Sequence, residues 1–212
     1  MAQNTSHAVM QQRHEPDGSL DDFPTPPWAT RALIEHVLYP LDMSHLTAFE
    51  PACGRGHMVR ALQEYFAEVH ASDVCDYGVI PKQRVSDFLA PQYLPDYMDW
   101  IITNPPFRLA EEFVEQGLKL AGRGVAVLVR SAFLESVGRY ERLFRRYPPS
   151  IVAQFVERVP MHRGRLLEKG STATAYCWLV WDKIRPMNPE FKWIPPCRAR
   201  LERAPDYFWS GD

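Results

Sequence analysis

The sequence predicts an α/β fold, a doubly wound Rossmann-like sheet with helices on both faces. Three observations carry that prediction. Short apolar strands alternate with helical stripes from residue 29 to residue 181, a glycine-bearing turn joins a strand to a helix early in the chain, and a buried strand ends abruptly at Asn104-Pro105-Pro106-Phe107. At 212 residues, 46% hydrophobic and 24% charged, the chain can bury one substantial core, so one domain is expected rather than two.

Residues 1–20 are rich in Gln, Asn, Ser and His without an apolar period and read as a mobile tail, with the domain itself placed at residues 21–183. Phe23-Pro24-Thr25-Pro26-Pro27-Trp28 cannot be helical across its prolines. Ala29 to Tyr39 then places apolar residues at 29, 33, 34, 37 and 38, a helical stripe with Thr25 or Trp28 at its entrance. Leu46 to Glu50 reads as a strand, Pro51 to Gly56 as a loop, His57 to Ala67 as a helix and Val69 to Asp73 as a second strand, which together form a βαβ unit.

The alternation continues with a weak strand at Gln83 to Asp87, a buried one at Trp100 to Thr103, a helix at Leu109 to Ala121 and a strand at Gly124 to Arg130. Leu134 to Phe144 reads as a helix, with further strands at Ser150 to Val156 and Thr174 to Trp181. This pattern argues for a parallel sheet. Residues 184–212, with five prolines and several aromatics but no period, are expected to drape on the domain as a tail.

Several function classes fall away on composition. The longest apolar runs, such as residues 124–129, are far short of the roughly 20 residues that span a bilayer, and Met1 to Leu20 has no basic start or apolar run, so a cytoplasmic protein is expected. Cys53, Cys75, Cys177 and Cys197 are widely separated without a CxxC pair or nearby His spacing, so neither a metal site nor a disulfide framework is expected.

The turn Phe49-Glu50-Pro51-Ala52-Cys53-Gly54-Arg55-Gly56 sits where an α/β sheet binds ligands, outside the carboxyl end of a strand. Gly54 and Gly56 permit tight turning and close approach of a ligand to the backbone. Glu50 suits a cationic amine rather than a pyrophosphate. Asp73, 23 residues further on, stands where this kind of fold places the acid that hydrogen-bonds ribose hydroxyls, and Asp87 is a candidate for an adenine amine. A ligand with an ammonium, a ribose and an adenine is S-adenosylmethionine (SAM). Alternatively these acids are helix caps or solvated loop residues.

In Asn104-Pro105-Pro106-Phe107 the prolines stop the strand and stiffen the turn. The Asn104 side-chain oxygen and the Pro105 carbonyl can each accept one N–H of an amine whose lone pair is otherwise delocalised, and Phe107 offers a flat face for a planar base. The plainer alternative is a strand-ending turn, which Asn-Pro often starts.

On FEPACGRG, the acids Asp73 and Asp87, and NPPF, the chain resembles the class I SAM-dependent methyltransferases, specifically those similar to DNA adenine-N6 enzymes. The resemblance spans about residues 23–183. It implies a SAM site at Thr25, Pro26, Trp28, Glu50, Pro51, Cys53, Gly54, Gly56, Asp73, Asp87 and Asn104, with Asn104, Pro105, Pro106 and Phe107 as the catalytic loop. Similar motifs occur in enzymes of RNA adenines and of a protein glutamine amide, so these remain alternative acceptors, as does a non-catalytic SAM- or nucleic-acid-binding module. The absence of room for a large target-recognition domain suggests a compact orphan or phage-type enzyme.

The formal net charge is −2, yet Arg139 to Lys169 holds eight Lys/Arg against three Glu, a local +5. Arg139, Arg142, Arg145 and Arg146 also fit a solvated helix face. Arg163, Arg165 and Lys169, in a glycine-containing loop, are the better candidates for phosphate contacts, and DNA is the preferred partner.

Overall fold

The computed structural model describes residues 21–78, 80, 83–90, 98–170, 172–184 and 188–208; the expected tail at residues 1–20 lies outside them. Eight strands, β1 (Thr47–Glu50), β2 (Glu68–Asp73), β3 (Arg84–Val85), β4 (Met98–Thr103), β5 (Ala121–Arg130), β6 (Ile151–Phe155), β7 (Tyr176–Asp182) and β8 (Glu190–Ile194), form one sheet in the order β3-β2-β1-β4-β5-β7-β6-β8. Helix α1 (Pro27–Ala32) continues as a π-helical segment (Leu33–Leu38); α2 (His57–Leu62), α3 (Ala110–Leu120), α4 (Val137–Arg139) and α5 (Arg198–Leu201) complete the set.

Strict alternation in the central strands sends side chains to two cores. Trp100 and Ile102 of β4, Ala126 and Leu128 of β5, and Trp178 and Val180 of β7 face a core shared with Leu33, Met58, Leu62 and Leu201. Ile101, Val125, Val127, Cys177 and Leu179 face the other, shared with Phe113, Val114 and Leu143. Helices therefore cover both faces, and the central strands read as continuous apolar runs because both of their faces are buried.

Two expectations change. The sheet is mixed, because β7 runs antiparallel to both β5 and β6. An apolar run carries no information about strand direction. The tail expected beyond residue 183 is part of the sheet: β8 pairs in parallel with β6 over five residues. Leu201 and Ile194 enter the core, and Asp206 receives the buried Arg31 guanidinium at 2.7 and 2.8 Å.

Strand order reverses between β1 and β4, the crevice where open α/β sheets bind ligands. Glu50 ends β1 and Asn104 follows β4, so the two stand side by side at that crevice.

Candidate functional site

A cleft of about 840 Å³, including the part open to solvent, lies at this switch point. Of the residues expected from sequence, Thr25, Glu50, Pro51, Cys53, Gly54, Asp73, Asp87, Asn104 and Pro106 line it. Trp28, Pro26, Gly56, Pro105 and Phe107 are not in its lining. Trp28 is fully buried, because α1 begins at Pro27 and its first turn drives the indole into the core, edge-on to Phe155 at 5.6 Å. Gly56 acts from behind the cleft: its φ of 81° starts α2, and a Cβ there would lie 2.7 Å from Ile80, so the loop needs glycine.

Glu50 is 2% exposed. Its carboxyl accepts the backbone N–H of Val59 in the first turn of α2, while its buried Oε2 has no hydrogen-bond partner among the described residues. Burial, together with the charge of Asp73, holds its pKa well above the ordinary 4.5. A carboxyl whose folded pKa exceeds the unfolded one binds more protons when folded, so its contribution to stability falls as pH rises from about 4.5 toward the raised value. Glu50→Gln should remove that part of the decline; a thermal-melting series across this range that is unchanged in the variant would contradict the assignment.

Asp73 organises the loop. Its Oδ2 accepts the Gly54 N–H at 2.8 Å and its Oδ1 the Cys75 N–H at 3.0 Å. Each oxygen keeps a second lone pair for a ligand hydroxyl. Asp87 is exposed and caps its own turn through the Leu89 N–H at 2.9 Å, which leaves one carboxylate oxygen for other partners.

The acceptor-loop asparagine has a fixed orientation. Asn104 Nδ2 donates to the Phe23 carbonyl at 3.0 Å, with Met161 Sδ at 3.9 Å. A carbonyl can only accept, so the amide nitrogen faces Phe23 and the oxygen faces away. That Oδ1 is buried and has no hydrogen-bond partner among the described residues. The ring of Phe107 is covered: Phe23 packs at 5.4 Å, and the Arg130 guanidinium lies over it at 3.8 Å.

Sequence reasoning missed the segment that closes the cleft. Asp21 Oδ2 accepts the Phe107 N–H at 2.6 Å, the first backbone donor after two prolines, and the Asp22 carbonyl accepts the Gly164 N–H at 2.8 Å. Asp22 also reaches Arg55 at 3.7 Å, and Arg55 lies 5.4 Å from the Tyr77 ring. The only signal was two acids beside the FPTPPW segment. Contact between Gly164 and Asp22 places the hairpin of Arg163 and Arg165 beside the cleft, with both arginines and Lys169 exposed. Among the helical arginines, Arg139 and Arg142 pair with Glu111 and Arg145 pairs with Glu141, as expected of a solvated face.

Among the described residues, no helix is long and apolar enough to cross a membrane, and no group of three or more His, Cys, Asp or Glu is placed to hold a metal ion. Cys53, Cys177 and Cys197 are buried free thiols, and burial pushes all three pKa values up.

No family model matches the sequence, and no curated protein matches it. Solved structures do. A Listeria monocytogenes chain assigned as a class I SAM-dependent methyltransferase superposes with a TM-score of 0.58 at 18% identity, over 84% of this chain and 67% of that one. The type I restriction-modification methyltransferase subunit of Streptococcus thermophilus gives 0.56 at 13%, over 81% and 47%, and a dimethyladenosine transferase of Plasmodium falciparum gives 0.52 at 14%, over 75% and 62%. This chain therefore spans about half the length of the restriction-modification subunit. Sheet order, the antiparallel seventh strand and these superpositions agree: the chain has the fold of the class I SAM-dependent methyltransferases.

Proposed function

We propose that this protein is a SAM-dependent methyltransferase acting on an exocyclic amine, adenine N6 in DNA, with the base flipped into the cleft. One observation carries the reading: Asn104 is oriented by the Phe23 carbonyl so that a buried, unpartnered acceptor faces away from it at the ligand crevice.

The residues present fit the cofactor. A buried carboxyl oxygen without a partner at Glu50 suits an ammonium, and Asp73 and Asp87 have acceptor capacity left for hydroxyls and an adenine amine. Thr25, Pro51, Cys53 and Gly54 complete the lining. When bound, SAM supplies a methyl already activated by its sulfonium, so the protein needs to orient rather than attack. Glu50→Gln should weaken SAM binding by about 1.5–3 kcal/mol, the range for a hydrogen bond to a charged group, as read by calorimetry.

Asn104 Oδ1 takes one N–H of the acceptor amine, which draws the nitrogen toward tetrahedral geometry and frees its lone pair. Flipping costs a few kcal/mol. The exposed Arg163 and Arg165 beside the cleft, with the exposed Lys169 further along the same loop, supply phosphate contacts to offset it. Incubation with tritiated SAM and plasmid DNA, total RNA or protein tests the acceptor: label is expected in DNA, and label confined to RNA or protein would refute the choice.

A further inference from the structure

Arg130 ends β5, beside the strand that leads into Asn104, and its guanidinium carbon lies 3.8 Å from the centroid of the Phe107 ring. That is van der Waals contact, the separation at which a flat group stacks. Arg130 therefore holds one face of the ring that a planar acceptor would use.

Its electrostatic situation is unusual. Among the described residues no carboxylate lies within ion-pair distance of Arg130, and its shielded Nε has no acceptor. Arg139 makes an instructive contrast. It also stacks on an aromatic ring, Phe133, at 3.9 Å, but Glu111 neutralises it at 3.1 Å and the Phe133 carbonyl takes a further N–H. Among the described residues Arg130 has only the ring.

We propose that Arg130 is a specificity-determining residue of the acceptor site, which yields the face of Phe107 to an acceptor that brings an anion for the displaced guanidinium, a phosphate beside the acceptor base. This inference rests on the amine-methylation reading above. A planar acceptor that reaches Phe107 must move Arg130. The displaced fork of N–H donors matches a phosphate bidentately. A phosphate-free acceptor, such as a glutamine amide, leaves that cation partly desolvated without a counter-charge. Arg130 thereby selects nucleotides within a chain over bare amines of similar shape.

The test is a cycle of protein and substrate changes, read as kcat/KM for tritiated methyl transfer. One substrate is a pool of oligonucleotides with randomised flanks around a central adenine; the other is the same pool with neutral methylphosphonates on both sides of that adenine. For the unmodified protein, neutralising the linkages should lower kcat/KM about tenfold or more, the size of a lost charge-assisted hydrogen bond. In Arg130→Met the loss on neutralising the linkages should shrink severalfold, leaving the share owed to the other exposed cations, while SAM affinity by calorimetry stays unchanged, because a coupled pair shows up as non-additivity. Arg130→Gln, neutral and of similar length, gives the same readout if the Met variant is unfolded, and Arg130→Lys should restore most of the phosphate dependence. An equal methylphosphonate effect in variant and unmodified protein, or no effect in the unmodified protein, overturns the role of Arg130. Transfer to neither pool by protein that binds SAM overturns the amine-methylation reading itself, and this inference with it.

Discussion

Asn104→Ala should lower the turnover rate for methyl transfer by about 10²–10³-fold, the scale for removing one preorganised hydrogen-bonding group from a charge-developing centre, and leave SAM affinity nearly intact. The separation follows from the geometry. Glu50, Asp73 and Gly54 lie on the β1 and β2 side of the crevice, whereas Asn104 follows β4 and is braced by Phe23 and Met161. Its Oδ1 takes no part in holding the fold, since no described group donates to it. Asn104→Asp is a sharper probe, because it keeps an acceptor but loses the Nδ2 donor that fixes the orientation; it should retain more activity than alanine. Single-turnover kinetics with SAM saturating would read both variants. Unchanged transfer in Asn104→Ala would remove this residue from the mechanism.

Asp206→Ala should destabilise the protein by up to about 3–5 kcal/mol, the cost of leaving a buried charge wholly without a partner, with Glu64, which Arg31 retains, setting how far below that limit the loss falls. Arg31 is 3% exposed and donates twice to Asp206, three times to Glu64, at 2.7 and 3.2 Å to Oε1 and 2.9 Å to Oε2, and once to the Leu201 carbonyl at 2.7 Å. This cluster ties α1 and the end of α2 to the C-terminal segment. At about 2–4 °C per kcal/mol for a chain of this size, the loss is readily seen in thermal melting. Replacing both partners, Arg31→Met with Asp206→Leu, should cost less than Asp206→Ala alone, since it removes the buried guanidinium that would otherwise lose Asp206, while Glu64 keeps Arg203 at 3.0 Å. If the single variant melts like the unmodified protein, the C-terminal segment is the loosely draped tail that its composition suggested.

The parts legible in sequence were those whose chemistry is local. The glycine turn, the acids after β1 and β2, and the strand ending at Asn104 are each defined within a few residues, and they meet at one cleft because the βαβ order places strand ends together. What was not legible depends on partners far along the chain. β8 has the sequence Glu190-Phe191-Lys192-Trp193-Ile194 between prolines, and becomes a strand only through its pairing with β6. The face of Phe107 looked open for stacking until Arg130, 23 positions on, proved to cover it. Trp28 looked like a cofactor residue on the strength of its neighbours, yet the first turn of α1 points it into the core. Asp21 and Asp22 adjoin the segment read as a tail, although they grip the acceptor loop and the basic hairpin.

The central claim is that this cleft delivers a methyl group to an exocyclic amine of DNA. DNA incubated with the protein and SAM, then digested to nucleosides and resolved by mass spectrometry, addresses it most directly. N6-methyldeoxyadenosine is expected, and it should disappear when the protein carries Asn104→Ala. Digests without any methylated nucleoside, from protein shown to bind SAM, would contradict it.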